Sequence, residues 1–221
     1  MQRPGVASPE RWVGHNNAVV PVPPPRTADD DHGASLPGPR PGQPGRPLDV
    51  DLTSRLLEAA TDLIAEDGWS AFNADRLVAQ TQSGKAGVYR RWPRMIDLAA
   101  EVVGGLQLLD PLPERGALAE DLLAFHQPLV RPLSRDARAL ASLLGATHQH
   151  PDLAAAVHAA LWAPLREAVH ALLRRRAGHP PGSDGDRLTG LSTSLWCRYL
   201  VLGTPLPAGE LRALFADVRA A

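Results

Sequence analysis

The sequence predicts an all-α fold, with an N-terminal three-helix domain of the helix-turn-helix type followed by a helical bundle. Two observations lead to this prediction. From Asp49 onward, apolar residues recur at spacings of three and four, which is the period of a helix, and no alternating strand pattern interrupts them. Early in this region, two short helical segments joined by a four-residue turn follow a longer helix, which is the helix-turn-helix arrangement.

The composition divides the chain into a tail and a folded part. The chain has 221 residues, of which 44% are hydrophobic and 21% charged, with a net charge of −1, as in a globular protein. Residues 1–47 hold 11 of the 22 prolines and show no helical or strand period, so we expect a disordered tail there. A natural start codon further downstream is the alternative. We expect the helix-turn-helix domain over 48–94 and the bundle over 95–221.

The first two helices are predicted from their apolar faces and caps. The first helix begins at Asp49, and Gly68 stands where a helix C′ residue is expected. Asn73 is the predicted N-cap of a second helix over 74–80, which buries Leu77 and Val78. The apolar face of the first helix is formed by residues at helical spacing: Leu52, Leu56, Ala59, Leu63 and Ile64.

The turn and the next two helices complete this domain and lead into the bundle. Residues 81–84 form the predicted turn, and a third helix over 85–92 ends at Pro93, which cannot continue a helix. A fourth helix is predicted over 95–109.

The stretch "SGKAGVYRRWPR", Ser83 to Arg94, concentrates positive charge. It carries four cations and no acid, and it contains the single lysine, Lys85, of a chain with 22 arginines. Lys85 lies in the first turn of the third helix, where the helix dipole disfavours a cation unless an anion faces it. Gly87 costs roughly 1 kcal/mol against Ala in a helix, which close approach of the backbone to DNA would explain.

A short helix of this kind can enter the major groove and read base edges or hold phosphates. The Tyr89 hydroxyl can donate to phosphate, and the three arginines supply further phosphate or base contacts. When the stretch is taken alone, an ordinary solvated basic helix end explains it equally well, but the preceding helices and the turn length favour DNA. The predicted DNA-contacting residues are Ser83, Gly84, Lys85, Ala86, Gly87, Tyr89, Arg90, Arg91 and Arg94.

The run from Leu52 to Val103, about 52 residues, resembles the DNA-binding domain of the tetracycline-repressor-like (TetR/AcrR) transcriptional regulators. The stretch "LLEAATDLIAEDGW" resembles the first helix of that family, and "ADRLVAQTQSGKAGVYRRWPRMIDL" resembles its second helix, turn, recognition helix and Tyr-x-x-aromatic-Pro signature. The resemblance implies that the residues from Lys85 to Gly87 face the groove, that Tyr89 holds phosphate, and that Trp92 packs the helix-turn-helix on the first helix.

Several positions depart from the family pattern. Gln82 stands where the family usually has a turn glycine, and Gly84 where a serine is common. Met95 occupies the position of the usual phosphate-binding lysine, with Arg94 beside it as a substitute. These departures concern the geometry of the turn and the backbone contacts of the fourth helix.

The second half of the chain predicts longer helices over 116–130, 136–149, 151–176, 187–203 and 209–221, with a kink at Pro164. The helix over 187–203 is apolar on nearly all sides, so it needs partners on all sides. We expect the last two helices to pair with those of a second copy in a four-helix bundle, as the family resemblance also implies; a buried helix of a monomer is the alternative. The predicted dimer-interface residues are Leu195, Tyr199, Leu202, Leu211, Leu214 and Phe215.

A ligand pocket is expected between the middle helices, although each of its candidate residues is also compatible with an ordinary core or surface position. The candidates are Phe125, His126, His148, Trp162 and Trp196. No metal site is predicted, because His148 and His150 point to different helix faces. No catalytic group or cofactor motif can be assembled, and Cys197 is expected to be a buried structural thiol.

These features together predict a homodimeric repressor that binds a near-palindromic double-stranded DNA operator and is released by an unidentified small-molecule effector. We expect no enzymatic activity and no cofactor. The absence of a signal peptide and of an apolar run of membrane-spanning length predicts a cytoplasmic protein. The alternative is a helical small-molecule-binding module or enzyme that has lost operator recognition.

Overall fold

The first helix is amphipathic and packs its apolar face against the rest of the fold. The computed structural model describes residues 50–114, 116–177, 182–216 and 218, and α1 spans Val50–Asp67. Leu56 and Ile64 are fully buried, and Leu52 is half-buried. Gly68 follows α1 with a φ of 82°, a left-handed conformation that favours glycine, so the predicted end of the helix is confirmed. The tail expected over 1–47 lies outside the described residues.

The next two helices form the helix-turn-helix. They are α2, Ala74–Thr81, and α3, Lys85–Tyr89. The Asn73 side chain accepts a hydrogen bond from the backbone N–H of Arg76 at 3.1 Å, which confirms the N-cap. Leu77 is fully buried, as expected.

α3 is shorter than predicted, because its helical geometry stops at Tyr89 rather than at Trp92. The backbone N–H groups of Arg91 and Trp92 both donate to the carbonyl of Val88, each at 2.9 Å, which closes the chain into a turn. Pro93 disfavours a helical conformation at the residue before it, and this accounts for the early stop.

α4 spans Met95–Gly105 and ends earlier than the predicted boundary at residue 109. Two consecutive glycines, Gly104 and Gly105, terminate it, because glycine is a weak helix former. The Asp136 carboxylate then accepts a hydrogen bond from the backbone N–H of Gln107 at 2.7 Å and so stabilises the chain where it leaves the helix.

The C-terminal helices pack around one continuous core with the first four. α1 packs along α6, α4 along α7, and α8 along α9. Arg135 anchors α6 to α1, since its guanidinium donates to the carbonyl of Glu58 at 2.9 Å and lies 2.5 Å from the Asp62 carboxylate. The helices are α5 Leu118–Phe125, α6 Arg135–Leu143, α7 Pro151–Val157, α8 Ala163–Ala177, α9 Ser183–Leu202 and α10 Ala208–Phe215.

A π-helical turn, His158–Trp162, joins α7 to α8 where a kink at Pro164 was predicted. Pro164 has no N–H to offer the carbonyl of Ala160, and the chain responds by widening the turn before the proline. Short 3₁₀ segments at Trp69–Ala71, Gln127–Val130 and Leu144–His148 complete the connections. The described part of the chain therefore contains helices, turns and loops only, which confirms the all-α fold.

α9 differs from its predicted all-round apolar character. One face is buried in the chain and the opposite face is exposed, so α9 has no partner within the chain on that side, and its pairing with a second copy stays a prediction. Cys197 lies on the exposed face, so the expectation that the chain itself buries this thiol is wrong. The exposed face comprises Thr193, Ser194, Cys197, Arg198 and Val201. Within the described residues, no helix is both long and apolar enough to cross a bilayer.

Candidate nucleic-acid interface

α3 is held to the protein by one side and exposes the other. Val88 is fully buried and Trp92 is 4% exposed, and the indole N–H of Trp92 donates to the Glu101 carboxylate at 2.6 Å. Tyr89 is 46% exposed, an unusual exposure for a large aromatic side chain, and Arg90 is also at the surface. The buried residues thus fix the orientation in which the outer side of α3 faces solvent.

The first cation of this outer surface already has a carboxylate partner. The Lys85 ammonium lies 2.5 Å from the carboxylate of Asp75 in α2, and both side chains are largely exposed. The hydrogen bond from Lys85 to Asp75 raises the pKa of the lysine above its usual value. A phosphate that binds Lys85 therefore competes with Asp75 for the charge of the ammonium.

Arg91 is directed toward the protein instead of toward solvent. Its Nε donates to the Thr53 hydroxyl of α1 at 2.8 Å, and its Nη1 donates to the Gly87 carbonyl at 2.9 Å. These bonds hold α3 against the start of α1. Arg91 is therefore a positioning residue in this conformation, and its predicted contact with DNA stays a prediction.

Arg94 connects the helix-turn-helix to the C-terminal helices. Its guanidinium donates to Asp97 in the first turn of α4, and at 3.1 Å to the carboxylate of Asp152 in α7. The bond with Asp97 raises the pKa of Arg94 and lowers the pKa of Asp97. Arg94 remains 61% exposed, so a phosphate can approach it only in competition with two carboxylates.

Arg90 is the cation of this stretch whose guanidinium has no hydrogen bond or ion pair with any described residue, although its backbone N–H donates to the carbonyl of Ala86. Gly84 and Ala86 are exposed beside it, and the Ser83 hydroxyl, which is half-buried, is 2.8 Å from that of Thr81. The surface of Gly84, Lys85, Ala86, Tyr89 and Arg90, termed here the α3 surface, is the part of the predicted site that the structure places together in solvent.

Gly87 is not required by the fold. Its φ is not positive, and a Cβ there would meet only Arg91 Nη1 at 3.8 Å and Leu52 Cδ2 at 4.0 Å, which are ordinary contacts. The fold would therefore accept alanine at this position, and the close approach of Gly87 to DNA stays a prediction.

The sequence pattern did not reveal three partners of the predicted cations: Thr53, Asp75 and Asp152. No periodicity signals such pairs, since Thr53 and Arg91 are 38 residues apart and Asp152 and Arg94 are 58 apart. The spacing of Asp75 and Lys85 across the turn could have suggested their pairing once the two helices were placed.

Comparisons with known proteins show which regulators this chain resembles. The model of the tetracyclin repressor-like, C-terminal domain matches residues 112–218. The DNA-binding transcriptional repressor TetR of Mycobacteroides abscessus is 28% identical over 176 residues, which is 75% of this chain and 90% of that repressor. The chain is therefore similar to TetR-family transcriptional regulators, over its C-terminal half in the domain model and over most of its length in the repressor.

Further relatives and solved structures match less of this chain or show only its fold. The uncharacterized HTH-type transcriptional regulator Rv1556 of Mycobacterium tuberculosis is 29% identical over 101 residues, which is 45% of this chain and 50% of that protein. The match thus spans about half the length of this relative. The crystal structure of SCO7518 from Streptomyces coelicolor A3(2) aligns with a TM-score of 0.57 and 15% identity over 77% of this chain and 99% of the other.

Gln82 adopts the conformation for which this family usually uses a glycine. It follows α2 with φ 53° and ψ 35°, and its N–H donates to the carbonyl of Val78. Residues with a Cβ are disfavoured in this left-handed region. The turn geometry is thus retained at some energetic cost despite the departure. Met95, the other departure, is half-buried against the core and leaves Arg94 as the exposed cation at the start of α4.

The predicted pocket residues of this chain lie in three environments. Phe125, His126 and Trp196 are buried, Trp162 is half-buried, and His148 is exposed. The rings of Phe125 and His126 are in contact, with centroids 5.2 Å apart. His148 therefore lies outside any buried pocket in this conformation.

Most of the predicted dimer residues lie in the core of the chain itself. Four are at most 5% exposed and cannot meet a second copy, so the expectation is corrected for them: Leu195, Tyr199, Leu211 and Phe215. Leu202, 59% exposed, and Leu214, 39% exposed, remain available. The sequence pattern could not separate the two groups, because helical spacing identifies an apolar face but not what covers it.

Proposed function

We propose that this protein is a TetR-family repressor that binds a near-palindromic operator as a homodimer through α2 and α3, and that a small-molecule effector releases it. The observation that carries the proposal is the exposed Tyr89–Arg90 pair on a helix whose inner side is fixed by buried Val88 and Trp92. A short helix so held can lie in the major groove.

Phosphate binding is the role we assign to the outermost side chains of the α3 surface. The Tyr89 hydroxyl is a donor, and the Arg90 guanidinium is a permanent cation with several N–H groups. Lys85 joins them when phosphate displaces Asp75. Since these side chains contact the DNA backbone, they set affinity and orientation more than sequence preference.

A second copy is expected at the C-terminal end of α9 and on α10. Val201, Leu202 and Leu214 expose large apolar side chains there, and exposed apolar clusters mark association surfaces. Two-fold symmetry of a dimer would match a near-palindromic operator, with half-sites about one helical turn of DNA apart or a multiple of it.

Effector control would operate through the contacts that join α4 to the C-terminal helices. α4 packs along α7, and Arg94 at the start of α4 bonds to Asp152 of α7. An effector that shifts α7 relative to α4 would change the orientation of α3, and DNA would favour one of the two orientations.

The proposal is tested by a gel-shift titration with the DNA upstream of the protein's own gene, at low salt and with unrelated DNA as competitor. We expect a sequence-preferring complex that contains two protomers per operator, as its mass measured by light scattering would show. Absence of sequence preference at low salt would favour the alternative, a helical binding module that no longer recognises DNA. A complex with one protomer would refute the dimer alone.

A further inference from the structure

Polar atoms without partners lie on the buried face of α9. Ser192 is 0% and Trp196 is 1% exposed, and neither Ser192 Oγ nor Trp196 Nε1 has a hydrogen-bond partner among the described residues. The Oγ1 atom of Thr189, one turn earlier, is buried and unpartnered in the same way. The spacing of three and four residues places all three on one side of the helix. Buried polar groups are nearly always paired in native proteins, so this cluster needs an explanation.

A fourth unpartnered atom lies at the end of α5. His126 is 0% exposed, and its Nδ1 is 2.8 Å from the carbonyl of Leu122. Because a carbonyl only accepts, Nδ1 carries the proton, and Nε2 of the neutral ring is an acceptor. Burial lowers the pKa of His126 to about 4, which keeps the ring neutral at neutral pH. Nε2 has no partner among the described residues.

The surroundings of these atoms are apolar and aromatic. The ring of His126 lies 5.2 Å from that of Phe125 and 5.0 Å from that of Phe215, measured between centroids, and Trp196 contacts Tyr199 at 5.9 Å. The 3₁₀ segment that begins at Gln127, directly after His126, packs against α9. The end of α5 and the buried face of α9 therefore belong to one region of the core.

We propose, on the basis of the proposed function as a repressor that an effector releases from DNA, that the effector site lies between α9 and the end of α5. It takes an uncharged ring compound bearing both a hydroxyl and a carbonyl. The Trp196 N–H only donates, so it requires an acceptor such as a carbonyl oxygen. The His126 Nε2 only accepts, so it requires a donor such as a hydroxyl. The hydroxyls of Ser192 and Thr189 can serve either group.

The charge of the region favours a neutral ligand. Two of the buried residues that the structure describes have an acidic or basic side chain, His126 and Asp121. Asp121 already takes part in an interaction of its own. Burial of an ionised ligand without an opposite charge is costly. A neutral hydroxy-ketone meets the available donor and acceptor without that cost.

Calorimetric titration of the full chain without DNA tests this inference. The probes are 4′-hydroxyacetophenone, 6-hydroxy-1-tetralone and 7-hydroxyflavanone, each paired with the parent ketone that lacks the hydroxyl, and the cation proflavine. We expect at least one hydroxy-ketone to bind about 10-fold tighter than its parent, the effect of one or two buried hydrogen bonds. Equal binding within all three pairs, or binding of proflavine alone, would overturn the inference.

Two variants locate the site and separate it from a structural role. Ser192→Ala and His126→Phe should each remove most of the 10-fold preference, while the ligand-free protein should melt at the same temperature or higher, because an unsatisfied polar atom is removed. Thr193→Val, on the exposed face of α9, is the matched control and should keep the preference. A lower melting temperature for Ser192→Ala, with the preference intact, would show that an ordered water satisfies the hydroxyl and would overturn the assignment.

The same titration distinguishes this inference from the proposed function. Binding without DNA tests the site alone. Addition of the bound hydroxy-ketone to the operator complex then tests release. Binding without release would support the binding site and refute its role as the effector site. Release without a preference for the hydroxyl would support the proposed function and refute the ligand class.

Discussion

The α3 surface and the junction of α5 with α9 both carry polar groups, but the two regions satisfy them differently. On the α3 surface, the exposed Lys85 is paired with the carboxylate of Asp75, and Arg90 faces solvent. In the core, His126 and Trp196 leave polar atoms without any described partner. Partners at the surface can be exchanged for phosphate at small cost, whereas an unpaired atom in the core gains fully from a ligand. The first arrangement suits reversible binding of a polyanion, and the second suits selection of a small molecule.

The largest effect is expected from Trp92→Ala, which removes the buried support of α3. Loss of a buried tryptophan and of its bond to Glu101 should lower the free energy of unfolding by about 3–5 kcal/mol. Urea denaturation measures the loss, and Trp92→Phe, which keeps a ring in the core, should cost clearly less. A loss below about 1 kcal/mol would show that Trp92 does not support α3.

The next effect concerns pH and the buried histidine. The pKa of His126 is lowered to about 4 in the folded protein, while the unfolded chain titrates near 6.5. The unfolded state therefore binds the proton more readily between these values, and stability should fall by up to about 3 kcal/mol as the pH falls from 6.5 to 4.

His126→Phe should abolish this part of the pH dependence, as measured by urea denaturation at several pH values. His148→Asn, at an exposed histidine, is the control and should retain it. An unchanged pH dependence in His126→Phe would contradict the burial of a neutral ring.

Gly87→Ala should change stability and DNA binding in opposite directions. The fold has room for the methyl group, so the free energy of unfolding should rise by about 1 kcal/mol. Operator affinity should fall, because the backbone no longer approaches DNA as closely. Gly190→Ala, at an exposed glycine of α9, should raise stability by a similar amount and leave affinity unchanged. If Gly87→Ala binds the operator as well as the original chain, the glycine has no DNA-related role.

The smallest effect is expected from Asp75→Asn. The substitution removes the carboxylate that competes with phosphate for Lys85, and an ion pair this exposed is weak and screened by salt. Operator affinity should therefore rise about 2- to 5-fold in fluorescence anisotropy. Glu167→Gln, an exposed change on α8, should leave it unchanged. Weaker binding by Asp75→Asn would mean that Asp75 orients Lys85 for DNA instead of competing for it.

Local signals in the sequence predicted the helix-turn-helix well, because caps and turns depend on neighbouring residues. Asn73 caps α2 and Gly68 follows the end of α1, as predicted, and Trp92 is buried, as the family resemblance implied. Helix lengths were less predictable: α3 stops before Pro93 and α4 stops at Gly104 and Gly105, both earlier than the apolar pattern indicated. Bonds to the Val88 carbonyl and to the Asp136 carboxylate then hold the chain where it leaves each helix.

Tertiary packing determined what the sequence could not predict. The same helical spacing placed Leu195 and Leu202 on one apolar face, yet one is buried in the chain and the other is exposed. Arg90 and Arg91 are adjacent and identical in type, but only Arg91 has Thr53 within reach. Which apolar residue meets a partner, and which arginine meets DNA, depends on residues distant in the sequence.

The salt dependence of operator binding tests the central claim most directly, that the α3 surface lies against the DNA backbone. Fluorescence anisotropy at several salt concentrations gives the slope of log K against log salt for the original chain, for Arg90→Ala, and for Arg131→Ala as an exposed control in the C-terminal region. We predict that Arg90→Ala weakens binding to all sequences. It should also reduce the magnitude of the slope by about 1 for each phosphate that Arg90 no longer neutralises. An unchanged slope in Arg90→Ala, or an equal change in Arg131→Ala, would contradict the account.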